Sequence, residues 1–378
     1  MNKEQIKRHP GFIPYQLKHH QLRNRFVVAP MSRVSASEKG VPTENMKRYY
    51  SSFAEGGFSM IISEGLYTDL RYSKAYPKQP GIVTPPQLEK WAELTSAIKE
   101  RPVVLIAQLM HAGSISQCLP VTKAPSSVLP QGEKMKEYGG GEGAFPVPEE
   151  MTAADIYNVI EGFVLAAQNA VATGFHGVEI HAANGYLLDQ FLTSYTNQRT
   201  DEWGGDVSRR FKIIHQIITG IKQSVPQHFI VGLRLSEGKV NNLYYRWPEG
   251  KAMAKAILNE VNNVKPDYVH IAAESGNWQR DCTYEDGSSY SGLARQITGL
   301  PVIANGGLHQ LDISEKILTN GDADLLALGS AALADPFWPN KVVAGIEADR
   351  FARDLIKPLA TIEHTWKMQG KLLLSNTA

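Results

Sequence analysis

The 378-residue chain is 43% hydrophobic and 20% charged, which supplies a large core and excludes a disordered or solvating sequence. Its 39 Lys and Arg balance 38 Asp and Glu for a net charge of +1, too even for a protein that holds nucleic acid by releasing counterions from phosphates. Two cysteines, Cys118 and Cys282, stand far apart; they form neither a disulfide framework nor a thiolate metal cluster and fit a reducing compartment.

The segment Met1–Arg25 is polar and interrupted by Pro10 and Pro14. No apolar run reaches the ~20 residues that span a bilayer, so a cytoplasmic location without membrane partners is expected. From Phe26 onward, short apolar β-branched runs alternate with amphipathic stretches, the pattern of βα units around a parallel sheet buried on both faces. Strands are predicted over Phe26–Pro30, Met60–Ser63, Val103–Gln108, Gly177–His181, Ile230–Leu235, Tyr268–Ala272, Val302–Ala304 and Leu325–Leu328. Helices are predicted over Thr43–Ala54, Pro86–Lys99, Ala153–Thr173, Val207–Ser224, Pro248–Asn263, Leu293–Thr298, Asp312–Asn320 and Ala331–Gly345. Thr152 with Asp155 three residues on, and Thr84 before two prolines, are helix-start signals.

Eight strand–helix units argue for a closed (β/α)8 TIM barrel, an α/β fold, over an open doubly wound sheet. The dinucleotide GxGxxG after the first strand, which an open sheet would carry, is absent. Gly139, Gly140 and Gly141 fall in the long stretch His111–Met151 after the third strand and read as a capping loop. No composition shift marks a second domain. Residues 1–378 are read as one domain, with a barrel core over about 24–348 and a C-terminal extension, 349–378, of helix and tail.

Barrel enzymes place their sites at the C-terminal ends of the strands. The expected strand ends are rich in polar groups: Pro30-Met31-Ser32-Arg33, Glu64-Gly65, Gln108 with His111, His181 with Asn184 and Tyr186, Arg234, Asn305-Gly306-Gly307, and Gly329-Ser330. Taken singly, Gln108 reads equally well as a core amide, Arg234 as half of a buried ion pair and His181 as a hydrogen-bonded core histidine. The spacing favours function. His181 and Asn184, separated by two residues in a loop of small residues, can present two neutral donors to one oxygen, as polarising a carbonyl requires. Tyr186 adds a hydroxyl that can release a proton. The glycines after the seventh and eighth strands suit a phosphate cradle of backbone N–H groups, although turns use glycine for steric reasons as well.

Several segments together carry a resemblance. Asn24–Met31, Ile61–Gly65, Gln108-Leu109-Met110-His111-Ala112-Gly113, Glu179–Leu187, Asn197–Gly205, Leu233-Arg234-Leu235-Ser236 and Ala334-Asp335-Pro336 resemble the motifs of the old yellow enzyme family of FMN-dependent ene-reductases, in order from about residue 10 to about 345. The resemblance implies an FMN across the top of the barrel, with Gln108 and Arg234 on its pyrimidine edge. It also implies contacts from Pro30, Met31, Ser32 and Gly65, and a phosphate near Asn305, Gly306, Gly307, Gly329 and Ser330. NADH or NADPH would reduce the flavin; an activated alkene, an α,β-unsaturated carbonyl or nitro compound, would then be reduced. In that reading His181 and Asn184 polarise the substrate oxygen and Tyr186 protonates the α-carbon. Ser330 stands where family members commonly carry an arginine that grips the phosphate, which implies weaker FMN retention. Ser32 takes the place of a flavin-tuning Thr or Cys, and Val34 that of a tyrosine kept by a subset.

Two cysteines and the lack of a further flavin domain argue against the larger dienoyl-CoA reductase type. Other FMN barrels use a nucleophile or acid not found here. A TIM-barrel binding protein, or a degenerate family member, is the remaining alternative; Ser330 favours it, and the retention of Gln108, His181, Asn184, Tyr186 and Arg234 opposes it. Oligomeric state is open; surface helices of such barrels often pair, which would form a homo-oligomer.

Overall fold

Side chains alternate across a strand, so a strand buried on both faces must be apolar throughout and feeds two cores at once. A computed structural model describes residues 3–375 and shows this arrangement closed into a ring. The barrel strands are β1 (Phe26–Val28), β2 (Met60–Ile62), β3 (Val104–Met110), β4 (Gly177–Asn184), β5 (Ile230–Lys239), β6 (Tyr268–Ile271), β7 (Val302–Asn305) and β8 (Leu325–Leu328). All pair in parallel in chain order, and β8 returns to β1 with Leu326 opposite Phe26. The inner core takes Val27, Met60, Ile62, Val104, Ile106, Ile230, Ile303 and Leu325. Phe26, Val28, Ile61 and Leu105 face outward into the layer shared with the helices.

Those helices are α1 (Glu44–Gly56), α2 (Pro85–Lys99), α3 (Ala153–Ala172), α4 (Val207–Ser224), α5 (Lys251–Val264), α6 (Tyr290–Thr298) and α7 (Leu311–Thr319). Thr152 and Asp155 form the expected capping box at α3. The helix expected over Ala331–Gly345 is instead two, α8 (Ser330–Ala334) and α9 (Trp338–Ala344). Pro336 cannot donate within a helix, and the Asp335 carboxylate satisfies the break by accepting from Phe337 N–H at 3.0 Å and Asp349 N–H at 3.0 Å. The helix expected from Pro248 begins at Lys251, after a turn through Gly250 at φ +52. A final helix, α10 (Ile362–Ser375), follows; the expected tail beyond it lies outside the described residues. Among the described residues no helix is long and apolar enough to cross a membrane.

An unexpected hairpin, Tyr15–Leu17 against His20–Leu22, plugs the lower end of the barrel and sends Leu17 and Leu22 into the inner core. Its strands are three residues each and its turn uses Lys18 at φ +52 rather than glycine, so neither pattern nor turn chemistry announced it.

Above the apolar layers the register assembles polar ones. Gln108 lies opposite Glu179, Glu179 opposite Gly232, and Gly232 opposite Tyr268. A Cβ on Gly232 would meet the Tyr268 ring at 2.1 Å; its absence lets Tyr268 lie across the barrel and donate to Glu179 at 3.1 Å. One layer higher, Arg234 lies opposite His181 on one side and His270 on the other.

The turn after β1 is fixed from below. Glu64, fully buried, accepts from the Arg33 backbone N–H at 3.0 Å and contacts the Tyr50 hydroxyl. Burial pushes its carboxyl up to about 7 from 4.5, against the lowering effects of Arg33 and Tyr50. The folded value exceeds the unfolded one, so this group's contribution to stability is present below pH 4.5 and is lost as pH rises toward 7. Glu64→Gln should therefore flatten the fall in stability between those values by up to about 3 kcal/mol, at ~1.4 kcal/mol per unit. Urea melts giving identical pH slopes for both proteins would remove Glu64 as the titrating group.

Candidate active site

The strand ends open into a cavity of about 200 Å³. The turn after β1 lends Pro30, Met31 and Ser32; the turn after β2 lends Gly65; β3 lends Gln108. His181 and Asn184 come from β4, Tyr186 from the turn beyond it, Arg234 from β5, and Gly329 and Ser330 from the end of β8. Of the residues expected at the site, Asn305, Gly306 and Gly307 do not line this cavity. The segment after β6 packs over them instead: a Cβ on Gly306 would approach the Trp278 nitrogen at 2.6 Å, and one on Gly307 the Gly276 oxygen at 2.9 Å. Both positions admit that close approach because they lack a Cβ.

Arg33, expected at the end of the first strand, also lines the wall, and residues not singled out from the sequence complete it: Tyr76, Met110, Tyr138, Glu274, and Phe351, Ile356 and Ala360 of the C-terminal extension. Arg33 is wholly buried and donates to the Thr361 carbonyl at 2.8 Å, tying that extension over the barrel mouth. Ser330 and Phe351 also line a second cavity, with His309, Trp338 and Arg350.

His181 was expected to end its strand and Asn184 to follow in a loop; both lie on β4, which runs three residues past its expected end. Three apart, they would face opposite sides of a regular strand. Both reach the cavity because Asn184 leaves the strand at φ +63, a left-handed conformation asparagine tolerates, followed by Gly185 at +84. Burial first, then Arg234 and His270, hold the His181 imidazole well below its ordinary protonation range, so it is neutral at pH 7. Its Nδ1 has no hydrogen-bond partner. Asn184 donates one Nδ2 hydrogen to Glu274 at 2.7 Å, while its Oδ1 is unpartnered. The Tyr186 ring sits 5.0 Å from the His181 ring, and its hydroxyl bonds that of Tyr76.

Facing them, Gln108 donates to Glu179 at 2.8 Å, leaving its amide oxygen for the cavity. Glu179 also takes His270 Nδ1 at 2.9 Å. Burial pushes the Glu179 carboxyl up, but His270, Arg234 and Gln108 outweigh it and hold the group below the usual range as an anion. Arg234 lies above it, 4.0 Å from Glu274, with Nε unpartnered. Burial raises the Glu274 carboxyl, opposed by Arg234 and Asn184. Folded proteins pair nearly all buried polar atoms. Five unpaired ones on residues lining one cavity, Arg33 Nε and Nη1, His181 Nδ1, Asn184 Oδ1 and Arg234 Nε, mark it as built for a polar ligand.

Residues 11–349 match the NADH:flavin oxidoreductase / NADH oxidase family. The chain belongs to that family, that of the old yellow enzymes, and is an oxidoreductase with FMN as cofactor and a nicotinamide as hydride donor. It is 30% identical over 341 residues to a probable flavin mononucleotide-dependent alkene reductase of Leishmania infantum, covering 86% of this chain and 87% of the relative. Morphinone reductase superposes with a TM-score of 0.79 at 28% identity, over 90% of this chain and 91% of that one. An old yellow enzyme homologue from Zymomonas mobilis shares the fold, with a TM-score of 0.79 at 24% identity over 90% of this chain and 94% of its own.

Proposed function

We propose that this oxidoreductase reduces activated alkenes, α,β-unsaturated carbonyl or nitro compounds, with NADH or NADPH as the source of hydride. The observation that carries the reading is the convergence of a neutral imidazole, a carboxamide, a phenol and a fixed guanidinium on one cavity at the strand ends. The donor set fits FMN: a free amide oxygen on Gln108 and an unpartnered Nε on Arg234 suit the alternating acceptors and N–H of a flavin pyrimidine edge. Held there, FMN would supply the hydride relay between a nicotinamide and an electron-poor alkene.

The chain's own residues do the rest. Pro30, Met31, Ser32 and Gly65 form the floor, and Gly329 and Ser330 face the phosphate end. Neutral His181 and the second Nδ2 hydrogen of Asn184 donate to the substrate oxygen, stabilising the negative charge that develops there. Tyr186 supplies the proton to the α-carbon. Arg234 holds a positive charge against the cofactor ring that must carry extra electron density.

Ser330 offers the phosphate a neutral hydroxyl. Ser330→Arg should lower the FMN dissociation constant about 10- to 100-fold, since hydrogen bonds to charged groups are worth about 1.5–3 kcal/mol. A titration finding unusually tight FMN in the wild type, unchanged in the variant, would contradict this.

The function itself is tested by anaerobic bleaching of the FMN-loaded protein with NADH and with NADPH, followed by cyclohexenone. Recovery of the oxidised flavin spectrum with saturation of the alkene is expected. Bleaching that cyclohexenone, a maleimide and a nitroalkene all fail to reverse would remove alkene reduction.

A further inference from the structure

The Tyr186 hydroxyl does not stand alone. Tyr76, Tyr138 and Tyr186 line the same cavity; Tyr76 is 1% exposed and Tyr186 4%. The two hydroxyls of Tyr76 and Tyr186 form a short hydrogen bond, and among the described residues no other hydrogen bond reaches either. The Tyr76 ring packs on that of Tyr138, centroids 4.6 Å apart at 32°. Ala75, Met110, Ala112, Ile115 and Phe145 surround the pair with apolar side chains.

We infer that Tyr76 is a positioning residue for proton delivery: by donating to the Tyr186 oxygen it turns the Tyr186 hydrogen toward substrate and stabilises the phenolate that remains. A hydrogen bond between two phenols has one donor. If Tyr186 donated, its proton would point at Tyr76 and away from the cavity. With Tyr76 donating, that proton is free and the Tyr186 oxygen is already solvated by an O–H. The second effect is the larger one, because a buried phenolate without a donor carries a heavy desolvation penalty. Burial, Tyr138 and Glu274 all oppose the Tyr186 phenolate and Arg234 favours it; among the described residues Tyr76 is the group hydrogen-bonded to its oxygen.

The step balances. Hydride derived from the nicotinamide adds to the β-carbon, the electron pair left at the α-carbon forms a C–H bond with the Tyr186 proton, and the phenolate regains a proton from water. Tyr76 gives up none. The inference rests on the reading above that Tyr186 is the donor.

Tyr76→Phe, Tyr186→Phe and the double variant, each loaded with FMN, separate the two ideas. Stopped-flow reoxidation of the reduced protein by cyclohexenone should slow about tenfold in Tyr76→Phe, the loss of one hydrogen bond to a developing charge. The solvent deuterium effect should rise, with bleaching by NADH within twofold of wild type and the enone KM little changed. Tyr186→Phe should be slower still, and the double variant no slower than Tyr186→Phe, because Tyr76 acts only through it. If Tyr186→Phe is slow but Tyr76→Phe reoxidises like wild type with the same isotope effect, the inference falls and the donor reading stands. If Tyr186→Phe matches wild type, the donor reading falls and takes the inference with it. Equal slowing of bleaching and reoxidation in Tyr76→Phe would show a merely structural residue and overturn the inference.

Discussion

His181→Ala should slow reoxidation of the reduced protein by an enone about 10²- to 10³-fold, the effect of deleting one donor aimed at a developing oxyanion. The expectation follows from the state of the imidazole. His181 is 3% exposed, neutral, and without a partner on Nδ1. A neutral donor in a dry cavity costs little to organise and does not titrate near pH 7, so the wild-type rate should show no inflection from this group between about pH 6 and 8. Bleaching by the nicotinamide builds no such charge on an oxygen and should fall far less. Asn184→Gly is the companion, because glycine accepts the φ of +63 that an alanine would strain. The two effects should combine to less than their product, since both donors serve one oxygen. Stopped-flow half-reactions check this; equal slowing of both would show that His181 shapes the cavity without polarising substrate.

Arg234→Met should raise the FMN dissociation constant about 10- to 100-fold and lower the midpoint potential of the bound flavin by about 30–60 mV, from the ~1.5–3 kcal/mol of a hydrogen bond to a charged group. The guanidinium lies between two carboxylates, Glu179 and Glu274, and its charge depresses both. Removing it leaves their negative charge facing a ring that must accept electrons. The same substitution removes one of the causes that keep His181 neutral, so protonation of His181 should move up toward its ordinary value and introduce a pH dependence the wild type lacks. Arg234→Lys keeps the charge without the fork and should fall between. An Arg234→Met protein with wild-type affinity and potential would place the flavin elsewhere.

The barrel was legible because each strand, buried on both faces, is a short apolar run bounded by polar groups, and the polar groups at one end are the site. Gln108, His181 and Arg234 stood out as costly residues in apolar strands. Tyr76 and Glu274 sit in loops and Tyr138 in a single 3-10 turn within one, where a polar or aromatic residue is ordinary, and only the closed chain brings them to the cavity. Phe351, Ile356 and Ala360 were hidden for a different reason: an extension beyond the eighth unit carries no periodic signal that it folds back over the mouth. Asn305, Gly306 and Gly307 are ambiguous for a physical reason. A glycine pair at a strand end reads the same whether it cradles an anion or lets a neighbouring loop approach, and here the neighbour is Trp278.

A crystal structure of the protein loaded with FMN tests the central claim most directly. The isoalloxazine is expected with its pyrimidine edge within hydrogen-bond distance of both Gln108 and Arg234, and one face open toward His181 and Asn184. Flavin density in the second cavity beside His309 and Arg350, or with its dimethylbenzene edge against Arg234, would contradict it.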